Sequence, residues 1–124
     1  MRTRRALAAL TLAPLLTACG GDPPRPAPSA PAPDTQIVRL TADGARAFTP
    51  SAITVHPGKV RIVLTTSGGM AHEFVSPTLG VNSGRIAAGE SATLDFNAPK
   101  PGEYQFYCAY HQTPAMTGTI TVKA

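Results

Sequence analysis

Nowhere between Gln36 and the C-terminus do apolar residues recur every three or four positions over a helix's length; the chain instead alternates in short runs broken by turn residues. Lys59–Thr65 sets Val60, Ile62 and Leu64 on one face and Arg61 and Thr65 on the other, with Val63 the exception. Ser91–Phe96 sets Ala92, Leu94 and Phe96 inward, and Glu103–Cys108 does the same with Tyr104, Phe106 and Cys108. Gln36–Leu40, Ile53–Val55, His72–Val75 and Gly118–Val122 complete the predicted strands. Thr41–Gly44, Pro57-Gly58, Ser67-Gly68-Gly69, Pro77–Arg85 and Pro99–Gly102 are the breaks between them. Strands this short, this evenly spaced and this often turned can bury their apolar faces only in an all-β arrangement, a two-sheet sandwich or a Greek-key barrel.

The first third of the chain reads differently. Arg2, Arg4 and Arg5 precede an apolar run over Ala6–Leu16, which is too short to span a bilayer, so residues 1–18 are expected to be an export signal. Leu16-Thr17-Ala18-Cys19 resembles the lipobox of bacterial lipoproteins, which implies cleavage before Cys19 and attachment of two acyl chains to that cysteine. Two acyl chains give stable membrane attachment where one is marginal. Residues 19–33, rich in proline with alanine and serine, are expected to be a linker in extended polyproline form. At about 3.1 Å per residue it would hold a domain some 40 Å from a membrane.

Residues 34–124 then form one small domain, enough chain for a single modest core. The formal charge of +4 belongs mostly to the signal: without Arg2, Arg4, Arg5, Arg25 and Asp22 the remainder is near +1. No clustered basic face marks a nucleic-acid partner. With Cys19 lipidated, Cys108 is the one thiol left. It has no partner for an internal disulfide, and an exported protein that keeps an oxidisable thiol needs a use for it.

Metal coordination is such a use. Cys108, His111 and Met116 follow the order C-x₂-H-x₄-M directly after a predicted strand. Thiolate, imidazole and thioether make a soft donor set that suits copper, and one more imidazole would complete a trigonal His₂Cys site with a weak axial Met. Of the two other histidines, His56 lies in the turn Val55-His56-Pro57-Gly58 and is expected at the surface. His72, at the start of a predicted strand, is the candidate for the missing ligand. Cys108 shares a face with Tyr104 and Phe106, which points its sulfur into one end of the core.

Gly102–Gln112 (GEYQFYCAYHQ) followed by Met116–Val122 (MTGTITV) resembles the C-terminal signature of the cupredoxins, and the Cys-His and His-Met spacings are similar to those of the plastocyanin-like group. Phe48-Thr49-Pro50, Val55–Gly58 and Gly69–His72 are similar to its N-terminal half. The resemblance covers about residues 36–122 and implies an eight-stranded Greek-key sandwich with one type 1 copper at one end. It further implies His72 Nδ1, Cys108 Sγ and His111 Nδ1 as equatorial ligands, Met116 as the axial one, and single-electron transfer with redox protein partners. The ring edge of His111 would reach the surface through a patch of Met70, Ala71, Pro114 and Ala115, with Tyr107 facing outward beside Cys108. Two positions depart from the family. Glu73 stands where Asn usually braces the ligand loop, and Tyr110 stands where plastocyanins commonly have Pro. The Tyr110 N–H is accordingly expected to give the sulfur a second hydrogen bond.

An enzyme is not expected: the histidines are too few for a catalytic copper, one loop cysteine cannot build a binuclear centre, and no nucleophile triad or phosphate loop is present. The remaining alternatives are an exported copper carrier or resistance protein, and a related module without a redox role. The protein is expected to be a monomer, tied to a bacterial membrane by its lipid and facing the periplasm or the cell exterior.

Overall fold

The computed structural model describes residues 25–111 and 113–124, so the expected signal over residues 1–18 and the lipidation site Cys19 lie outside the described residues. Among these described residues nine strands follow one another: β1 Gln36–Ala42, β2 Phe48–Thr49, β3 Ala52–Val55, β4 Gly58–Thr66, β5 Val75–Ser76, β6 Val81–Asn82, β7 Ser91–Ala98, β8 Gly102–Tyr107 and β9 Thr117–Val122. They form a four-stranded sheet in the order β2-β1-β4-β7 and a five-stranded sheet in the order β3-β9-β8-β5-β6. No α-helix occurs among the described residues; two single 3-10 turns cover Pro77–Leu79 and Pro114–Met116. The architecture is the expected all-β Greek-key sandwich, with nine strands where about eight were expected.

The longer strands obey their alternation. On β4, Val60, Ile62 and Leu64 are buried, and they oppose Phe96, Leu94 and Ala92 of the antiparallel β7. Ala92 and Leu94 are buried as expected, whereas Phe96 is only half-buried and packs at the margin of the core. β1 runs two residues beyond its expected end. Thr41 and Ala42 continue the parallel register with β4 opposite Thr65 and Thr66, and Ala42 is fully buried, so the turn is displaced to Asp43. Two pairings are parallel, β1 with β4 and β3 with β9, so the chain crosses between the sheets and back.

The differences from expectation are concentrated between residues 67 and 86. His72–Val75 is not a strand of its own: His72 makes one isolated antiparallel bridge with Ile86, and β5 begins only at Val75. The expected Pro77–Arg85 loop contains a 3-10 turn and β6. Burial nevertheless alternates from 72 to 76, with His72, Phe74 and Ser76 inward.

An aromatic cluster joins the sheets beneath one end. Phe74 and Phe106 stack at 4.7 Å and 21°, and Phe48 meets Phe106 edge-on at 5.2 Å. Phe74 lies two residues after His72 and Phe106 two residues before Cys108, all four inward, so one ring pair supports a candidate ligand from each half of the chain. His56 sits elsewhere. Val55 pairs with Val122, the end of β9 remote from Met116, and the exposed His56 that follows sets Nδ1 3.0 Å from the Lys123 carbonyl. Its surface placement is as expected.

Residues 25–33 have no regular secondary structure and lie over the solvent face of β4 and β7. Arg61 projects there from β4 and pairs through two nitrogens with Asp95, its cross-strand partner, at 2.7 and 2.8 Å, while Nη1 donates to the Ser29 carbonyl.

Candidate metal centre

Cys108 is the residue after β8 ends. The period-two face that buries Phe106 therefore also buries Cys108 completely. The chain then turns back on itself. The Cys108 N–H donates to the Met116 carbonyl at 3.0 Å, Thr113 N–H to the His111 carbonyl at 2.8 Å, and Met116 N–H to the Thr113 carbonyl at 3.0 Å. This bracket sets Met116, fully buried, and the half-exposed His111 along the same cavity as Cys108. The Cys108 sulfur lies 3.7 Å from His111 Nδ1.

His72 arrives from the other half of the chain. Its N–H donates to the Ile86 carbonyl at 3.0 Å and its carbonyl accepts from Ile86 N–H at 2.8 Å. The backbone before it is turned by Gly68 and Gly69, with φ of 74° and 73°. Gly68 is pressed against the β1–β2 loop: a Cβ there would stand 2.4 Å from the Gly44 Cα, so no side chain fits. The rings of His72 and His111 lie 5.1 Å apart. One donor atom from each of His72, Cys108 and His111 falls within 4.8 Å of the other two.

Two observations test whether this set fits a metal ion. His72 is fully buried, yet neither ring nitrogen has a hydrogen-bond partner. Leaving a polar atom unpaired in the interior costs about 1–3 kcal/mol, a penalty that coordination removes. With metal–sulfur and metal–nitrogen distances of about 2.3 and 2.0 Å, the 3.7 Å between Sγ and Nδ1 corresponds to an angle near 120° at the ion, the trigonal value. The set fits.

The electrostatics favour the neutral imidazole, the form that coordinates. Burial lowers the His72 pKa from its ordinary 6.5, and the neighbouring His111 lowers it further. The Asp43 carbonyl pulls the other way, but it falls short of a hydrogen bond of ordinary geometry.

Of the two departures, Tyr110 is the one where the bracing differs from expectation. The backbone donor on the sulfur is Glu73 N–H, at 3.3 Å. The Tyr110 N–H makes no hydrogen bond to Sγ, so the expected second bond is not formed; Tyr110 is instead an exposed turn residue. The ligand loop is held by a residue sequence reasoning passed over. Ser83 Oγ accepts from Phe74 N–H at 2.8 Å, and Ser83 N–H donates to the Phe74 carbonyl at 2.9 Å. A serine in an Asn-Ser-Gly turn carries no local signal of this role. Around His111, Pro114 and Ala115 are exposed and Met70 and Ala71 half-buried, and Tyr107 faces outward, as expected.

A two-sheet sandwich that brings a buried thiol and two imidazoles together at one end defines a class, the small β-sandwich copper proteins. The chain belongs to the cupredoxins: the family model described as "Cupredoxin-like domain" matches residues 8–122. It is 37% identical over 99 residues to the chloroplastic plastocyanin minor isoform of Arabidopsis thaliana, of which it spans 57%. It is 35% identical over 94 residues to the plastocyanin of Rumex obtusifolius, spanning 92% of it, and 32% identical over 110 residues to that of Nostoc punctiforme. Among solved structures its fold is similar to auracyanin B, with a TM-score of 0.63 at 21% identity over 77% of this chain and 94% of that one. A TM-score of 0.65 at 18% identity relates it to the metal-binding domain of the Cu(I)-exporting P-type ATPase CopA of Streptococcus pneumoniae, covering 77% and 92% of the two chains. The donor set and the family together make copper its metal.

Proposed function

We propose that the chain carries single electrons between redox proteins through one copper ion, which a ring nitrogen of His72, Cys108 Sγ and His111 Nδ1 would hold, with Met116 Sδ as a fourth, weaker donor. The observation that carries this reading is the buried imidazole of His72, unpaired beside a thiol and a second imidazole. When bound, copper supplies the one-electron couple. The protein's residues do the rest. Imidazole suits both oxidation states and thiolate and thioether suit Cu(I), so one donor set serves both. The 108–116 bracket and the His72–Ile86 bridge keep the donors from rearranging as charge changes. The Glu73 N–H withdraws charge from the sulfur and favours the reduced state. The phenylalanine floor excludes water, and His111, the least buried of the three donors, offers the route to a partner.

In this reading residues 1–18 are an export signal, Cys19 carries the lipid, residues 19–33 link it to the copper domain at 34–124, and the protein works as a membrane-attached carrier rather than an enzyme. Adding Cu(II) to the apoprotein should give an intense blue colour that ascorbate bleaches. Cys108→Ser should never turn blue, and Met116→Leu should stay blue with a shifted potential. Tight but colourless binding by the unaltered chain would favour a copper carrier, and no binding would sink both readings.

A further inference from the structure

We propose that residues 25–33 are a strap docked on the domain rather than a free spacer, and that the tether consequently leaves the molecule at the copper end. This rests on the reading of Cys19 as lipidated for its membrane consequence, but not for the docking itself.

The case begins with Arg61. Its neighbours Val60 and Ile62 are core residues, so its own side chain stands on the solvent face of the sheet, yet only 8% of that side chain is exposed. The cover is the strap. The guanidinium shares two nitrogens with Asp95 and gives the third to the Ser29 carbonyl. Pro31 and Ala32 border a groove with Lys59, near the start of β4, whereas Pro26 and Pro28 border one with Val63 and Ser91, towards its far end. The strap thus runs antiparallel to β4. Nine residues of polyproline chain span about 28 Å, close to the roughly 30 Å of a nine-residue strand, so it reaches from one end of the sandwich to the other.

Arg25 is the latch at the upper end. Its guanidinium donates to the Arg85 carbonyl at 2.9 Å and to the Ser83 carbonyl at 3.4 Å. These carbonyls belong to the segment that holds the candidate ligand loop, since Ser83 is hydrogen-bonded to Phe74 and Ile86 is bridged to His72. The tether therefore enters the fold beside His72. Only six residue steps separate Cys19 from Arg25, a reach of about 20 Å at full extension, half the distance a free linker would allow. The copper end is held close to the bilayer, and the partner it fits is one whose redox group lies near the surface of the same membrane.

Docking is tested directly by amide relaxation at Arg25, Ala27, Ser29 and Ala32 in the full mature chain. Order parameters near the roughly 0.85 of the strands are expected; values below about 0.6 would overturn the proposal. The orientation is tested with the lipidated protein in vesicles carrying a headgroup fluorophore. Oxidised blue protein should quench the dye and ascorbate should restore it. Replacing residues 25–33 by a Gly-Ser segment of equal length should lower that quenching at least about twofold, with Arg25→Ala between the two. Equal quenching in all three would overturn it. Flotation of the vesicles, with Cys19→Ser as control, shows separately whether the lipid reading fails, while the relaxation measurement still decides the docking.

Discussion

A single serine illustrates how much of the centre depends on residues that hold no metal. Ser83 is the hydrogen-bond partner of Phe74 on both sides of its peptide, and its hydroxyl also donates to the Gly84 carbonyl at 2.7 Å. Ser83→Ala leaves the Phe74 N–H without its acceptor and is expected to destabilise the apoprotein by about 1–3 kcal/mol, read by urea denaturation, and to weaken copper binding by loosening His72. His72 itself sets an acid limit. Its pKa is lowered in the folded state from 6.5, so between those two values the unfolded chain binds the extra proton. Stability from this group is complete above about 6.5 and falls as pH drops through the folded value; a thermal melt of the apoprotein across that range should show Tm declining with acid. Asp95, held below its ordinary 3.8 by Arg61, adds its loss only in stronger acid. That Cys108, His111 and Met116 share one short loop was legible in the sequence because spacing is local information. That His72 would come to Cys108 and His111 was legible only from the imidazole the set lacked, and Ser83 and the Gly44–Gly68 contact were not legible at all, being contacts between segments far apart in the chain.

Among the elements, β9 and the aromatic floor are the most sharply constrained. A Cβ on Gly118 would stand 2.2 Å from the Phe106 ring and 2.4 Å from the Ser51 carbonyl, so neither ring nor backbone has room for a methyl group. Gly118→Ala is expected to cost about 3 kcal/mol through overpacking, measured as a lowered denaturation midpoint. Phe106→Ala removes the ring on which Phe48 and Phe74 both pack, and should cost about 3–5 kcal/mol and blur the optical spectrum of the copper form as Cys108 loses its support. The elements that could be read from sequence are those long enough to show a period. β4, β7 and β8 alternate over six to nine residues, whereas β2, β5 and β6 are two residues long and have no period to read. Phe96 kept the alternation but is only half-buried, packed against the core rather than within it.

At the scale of the molecule, copper and fold reinforce each other. An ion that binds the folded state alone stabilises it by about 4 kcal/mol at a free concentration a thousandfold above Kd, so loading should raise Tm by several degrees and a chelator should reverse it. The all-β class was legible from turn spacing, but the strap was not. Proline content predicts an extended backbone without saying what it lies against, and the alternation of β4 places Arg61 outward without showing that the Ser29 carbonyl meets it there. The pairing of β3 has a different consequence. β3 is an edge strand whose neighbour in the sheet is β9, the last of the described strands, and Cys108, His111 and Met116 come just before β9. A chain still emerging from a ribosome or a translocation pore has neither a closed sheet nor a set of donors. Metallation therefore waits for β9 to reach β3, and whatever delivers the ion meets a closed sheet rather than an open one.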